Sequence, residues 1–112
     1  MKTFLPFLLV SLFLFGCDSE TPGFVSATTN PPVIEIYNGT EKPIFYFLIE
    51  SNTLAFVDLA DPCENFQPNL PVGSTLTLPY EQILGFNKDA ETAWFMWTDC
   101  QGNGDSETID LF

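Results

Sequence analysis

From Val33 onward, apolar side chains recur at every second position in short runs, the pattern of strands that keep one face in a core. Val33 to Tyr37 places Ile34 and Ile36 on one face with Glu35 opposite, and Asn38-Gly39 marks a turn after it. Pro43 opens the run Ile44-Phe45-Tyr46-Phe47-Leu48-Ile49, which is apolar on both faces and reads as a central strand. Leu54 to Val57, after Ser51-Asn52, forms a third run. Ser74-Thr75-Leu76-Thr77-Leu78 alternates most cleanly, with leucines to one side and hydroxyls to the other. Ala93 to Trp97 and Thr108 to Leu111 complete a set of six strands, and Tyr80 to Leu84, closed by Gly85, is the one helical turn. Six short strands separated by Gly, Pro and Asn predict an all-β domain, a small antiparallel β-sandwich or a partly open barrel.

The chain before Val33 has a different texture. Residues 17–32 are rich in Ser, Thr, Asp, Asn, Gly and Pro, with only Phe24 and Val25 apolar together. Such a stretch buries too little to offset its chain entropy, so it reads as a flexible tether ending in the stiff pair Pro31-Pro32. Upstream of it, Met1-Lys2 leads into an apolar run from Phe4 to Phe15, broken only by Pro6 and Ser11 and followed by Gly16. That run falls short of the roughly 20 residues a membrane-crossing helix needs, and residues 1–16 read as an export signal.

Leu14-Phe15-Gly16-Cys17 resembles the lipobox of bacterial lipoproteins, with Phe15 in place of the usual Ser, Ala or Thr. The resemblance implies cleavage after Gly16 and a diacylglyceryl thioether on Cys17. The domain would then stand on a membrane of the bacterial cell envelope, with several acyl chains giving the stable anchoring that one chain does not. Cysteine parity agrees, because lipidation of Cys17 uses the odd member of three and leaves Cys63 and Cys100 to pair. In an exported protein that pair reads as a structural disulfide, since neither Cys-x-x-Cys spacing nor a neighbouring base marks a redox site.

Charge and missing residue types then restrict function. Fifteen Asp and Glu face three lysines, and the chain has neither Arg nor His. Without the leader's Lys2 the excess is thirteen negative charges, which repels phosphate backbones and excludes nucleic acid as a partner. His-based triads, His-ligated zinc and guanidinium clamps on phosphate are all unavailable. No Gly-rich phosphate loop is present, and a cofactor is not expected. A carboxylate pair for glycoside hydrolysis could be drawn from the fifteen acids, but so small a sandwich offers little cleft, and no enzyme is expected.

Two segments carry candidate chemistry. Asp99 to Asp110 has oxygen donors in Asp99, Gln101, Asn103, Asp105 and Asp110 with Gly104 at the sixth place, which partly resembles an EF-hand calcium loop. Gln101 is neutral, Asp110 stands where a bidentate Glu is needed and the flanks read as strands, so a Gly-rich turn with solvated acids is the favoured reading. The cluster Trp94-Phe95-Met96-Trp97 puts alternate aromatics on opposite faces, and an outward Trp94 beside Tyr46 could contact a glycan or a protein. The sequence thus favours a lipid-anchored, non-enzymatic binding or structural module. The alternatives are an acidic inhibitor of a basic hydrolase such as lysozyme, or a calcium-binding module.

Overall fold

A computed structural model describes residues 23–112. The expected export signal, Cys17 and the first part of the expected tether lie outside the described residues. Six strands form two three-stranded antiparallel sheets, a small β-sandwich. The first sheet joins β1 (Val25–Asn30), β2 (Val33–Asn38) and β4 (Thr75–Pro79) in the order β1-β2-β4. The second joins β3 (Phe45–Glu50), β5 (Thr92–Thr98) and β6 (Gly104–Asp110) in the order β3-β5-β6. Hairpins connect β1 to β2 and β5 to β6, while every other connection carries the chain from one sheet to the other.

Period-two alternation builds the space between the sheets. In the first sheet Ala27, Ile36 and Leu76 lie side by side, and so do Thr29, Ile34 and Leu78. Facing them, the second sheet contributes Leu48, Ala93, Phe95 and Ile109, with Tyr46 and Trp97 partly buried against the same cluster. Tyr80, in a 3-10 turn at Tyr80–Gln82, closes one end, where its hydroxyl donates to the Leu111 carbonyl and its ring meets Phe86 and Phe112.

The domain starts earlier than the sequence pattern indicates. Val25–Asn30, expected to be the end of the tether, pairs along its whole length with β2, and Pro31-Pro32 forms the turn between them with a cis peptide bond. Inward positions filled by Val25, Ala27 and Thr29 carry too little apolar area to announce a strand, yet the ladder to β2 satisfies the backbone. The run Leu54 to Val57 is not a strand. Glu50 caps a single helical turn, α1 (Ser51–Leu54), and the chain then continues from Ala55 to Ser74 without helix or strand.

The position of β3 is also corrected, since it lies at a sheet edge with β5 in the centre. Its apolarity on both faces has another cause, because the loop after α1 folds over its outer face. Polar groups also cover its free edge. Ile44 and Leu70 exchange backbone hydrogen bonds, and the Asn69 side chain accepts from Tyr46 N at 2.9 Å and donates to Tyr46 O at 3.1 Å. Further along, Glu50 N donates to Leu84 O, in the segment that ends at Gly85. Gly85 has φ of 81° and sits so close to Thr53 that a Cβ would collide with it, which explains a glycine at this crossing.

Candidate functional site

The outer face of the second sheet carries Phe45, Phe47 and Ile49 from β3, with Met96 and Trp94 beside them on β5. Ile49 is fully buried there, away from the inter-sheet core, under the segment that bridges to it at Leu84. Next to Ile49 the face opens into a groove of about 540 Å³ floored by Phe45, Phe47 and Met96. A cleft of that volume falls in the range of roughly 300–1,000 Å³ typical of small-molecule sites.

The wall of the groove is the long loop, contributing Val57 to Pro62 together with Glu64 and Asn65. A loop of such length without secondary structure of its own is uncommon in a small domain, and those that occur are usually functional or disordered. This one is fixed at two points. Cys63 is disulfide-bonded to Cys100, with the two Cα atoms 5.5 Å apart, and Leu70 is bridged to Ile44. The sequence-predicted pair is therefore formed, and it joins the loop to the β5–β6 hairpin. Within the loop, Asp61 Oδ1 accepts from Cys63 N at 2.9 Å and leaves the other carboxylate oxygen open.

Chemically the groove has two zones. Its lining includes two exposed apolar side chains, Leu59 at 44% and Leu84 at 49%, and Phe56, next to the lining residue Val57, is 88% exposed. Its lining also includes the carboxylates of Asp58, Asp61 and Glu64, and no Lys. Of the two lysines among the described residues, Lys42 donates to Gln101 Oε1 at 2.6 Å.

The Asp99 to Asp110 segment is a hairpin loop followed by a strand. Asp99 Oδ1 accepts from Gln101 N and Asn103 N, and Oδ2 accepts from Asn103 Nδ2 at 2.9 Å. The amide of Asn103 and these backbone donors hold the Asp99 carboxyl below the ordinary carboxylate range against the effect of its burial. Asp105 Oδ1 accepts from Ser106 N. Asp110 ends β6, about 20 Å from the loop at the usual rise of a strand, so these candidate ligands are not brought together. Among the described residues no three His, Cys, Asp or Glu side chains form a metal-holding group.

The aromatic cluster divides as period two requires, Phe95 inward and Trp94 and Met96 outward. Tyr46 pairs with Trp97 and stacks on Phe95 at 6.4 Å on the inward face, so Trp94 and Tyr46 lie on opposite faces and form no common platform. The candidate side chains that sequence reasoning missed are those of the loop wall and its acidic residues. The available signals were the apolar tip Phe56-Val57-Asp58-Leu59 and the two-sided apolarity of β3, neither of which indicates how the loop folds back. Among the described residues no helix is long and apolar enough to cross a membrane. Compared with protein-family models, curated proteins and solved structures, the chain matches none.

Proposed function

We propose that the protein is a lipid-anchored, non-enzymatic binding module of the bacterial cell envelope, tethered through Cys17 and presenting the groove over β3 and β5 to its ligand. The observation that carries this reading is an apolar cleft with exposed apolar lips and a wall that a disulfide fixes in place. A preformed cleft binds with little ordering cost, which is what a binding module needs. The lining of the groove has no Ser, Thr, Cys, Lys or His to act as nucleophile, and its carboxylates are exposed, which favours recognition over chemistry. The second reading, an inhibitor of a basic hydrolase such as lysozyme, is favoured by the same carboxylates, which would attract a basic partner.

The test is saturable binding of a neutral, environment-sensitive naphthalene dye to the exported domain. One dye per domain is expected, with binding weakened by Ala60→Trp, which places an indole at an exposed lining position outside the core. Absence of saturable binding, or equal binding by Ala60→Trp, would contradict the assignment of the groove.

A further inference from the structure

We propose that the groove selects an amphiphilic organic cation, with the apolar body against Phe45, Phe47 and Met96 and an ammonium or guanidinium group among Asp58, Asp61 and Glu64. The inference rests on the binding reading above and adds the chemical class of the ligand. Three observations lead to it. The floor is aromatic and thioether surface, which favours contact with alkyl or ring carbon and attracts cations weakly through the ring faces. Every ionisable residue in the lining is an acid, so an anionic head group would be repelled while a cation finds partners at once. The floor comes from the strands and carries no acid, while all three acids come from the loop, interleaved there with Val57, Leu59, Ala60 and Pro62, so an apolar body on the floor leaves its head group to the loop.

A small molecule fits these dimensions better than a protein segment. The cleft has a ligand-sized volume, and the Cys63–Cys100 bond together with the Ile44–Leu70 bridge holds its wall at two points. No chain movement is then needed to receive a compact ligand. Asp61 is oriented in advance, because its bond from Cys63 N fixes the carboxylate. Asp58 and Glu64 line the groove before and after it in the chain and are exposed.

The experiment titrates the exported domain by calorimetry with decyltrimethylammonium, decyl glucoside and decyl sulfonate, all kept below their micelle thresholds. The cation is expected to bind at one per domain and about tenfold more tightly than the anion, as a few exposed ion pairs would provide. The triple variant Asp58→Asn, Asp61→Asn, Glu64→Gln should bring cation and anion to nearly equal affinity while retaining the neutral glucoside. A control triple variant of equal net charge outside the groove, Glu35→Gln, Glu41→Gln, Asp110→Asn, should keep the preference, which separates local recognition from the acidic field of the whole domain.

Equal affinities for the three amphiphiles in the unmodified domain would overturn the cation assignment and leave the binding reading intact. A preference that survives in the Asp58, Asp61, Glu64 variant would also overturn it. Failure of all three to bind would remove both proposals. Lysozyme displacing the bound cation at comparable concentration would give the groove to a basic protein instead. Sedimentation showing a dimer that the amphiphile dissociates would assign it to a second copy of the chain.

Discussion

Asn38, Glu50 and Asp99 are buried polar residues, and each is surrounded by bonds supplied nearby. Asn38 Nδ2 faces the carbonyls of Lys42, Leu70 and Pro71 at 2.9 to 3.3 Å, while its Oδ1 accepts from Thr40 N and Thr40 Oγ1. It therefore joins the end of β2 to the segment that leads into β4. Asn38→Ala would remove these bonds at a buried position while Lys42 O, Leu70 O and Pro71 O each keep at least one other donor, and it is expected to cost about 1 kcal/mol, read as a lower urea midpoint with unchanged slope. In the sequence this residue is legible only as half of an Asn-Gly turn. The partners that make it structural are some thirty residues away and leave no local mark.

Glu50 accepts from Asn52 N through one oxygen and from Thr53 N and Thr53 Oγ1 through the other, and these bonds lower its pKa from the ordinary 4.5. Asp99 is lowered from 3.8 mainly by the Asn103 amide. A carboxylate with a lower pKa in the folded state stabilises the fold above its unfolded value, and that contribution is lost as pH falls through the folded value. The urea midpoint should therefore begin to fall as acid enters the ordinary range of 4.5 to 3.8, and continue falling below it. A midpoint that stayed constant through and below that range would contradict these assignments.

At the scale of elements, the disulfide is the contact whose removal reports most. In the chain-entropy view, a link across a sequence separation of 37 stabilises by about 4 kcal/mol, a large share of a small domain's stability. Cys63→Ser with Cys100→Ser should lower the melting temperature markedly, and retention of the original melting temperature would show that the link constrains nothing. Its pairing was legible from cysteine parity. The strand pattern was legible where one face is strongly apolar, as in β2, β4 and β5. It failed at β1, whose inward side chains are small, and at Leu54 to Val57, where apolar residues serve a loop whose Phe56 faces solvent. The expected and observed totals are both six strands, but the two errors offset each other, and the groove depends on the second of them.

For the whole molecule, the proposed anchoring and the charge are compatible. An acidic domain is repelled by anionic head groups, so the attachment proposed through Cys17 would rest on the covalent lipid. In a bacterial host, labelled fatty acid should enter the full chain and not Cys17→Ser, with the variant accumulating unprocessed. Equal labelling of both, or release of the original chain into the soluble fraction, would contradict the lipoprotein reading. Neither the groove nor its acidic residues could be read from composition, because fifteen acids over the chain look alike until the loop brings Asp58, Asp61 and Glu64 to one cleft.

The central claim is that this molecule works through the outer face of its second sheet. The most direct measurement is NMR of the nitrogen-labelled exported domain during titration with decyltrimethylammonium. The account predicts saturating shifts confined to Phe45, Phe47, Met96, Leu84 and residues 57–65, with β1, β2 and β4 unmoved. Shifts centred on the first sheet, or on the Asp99 to Asp105 hairpin loop, would contradict it.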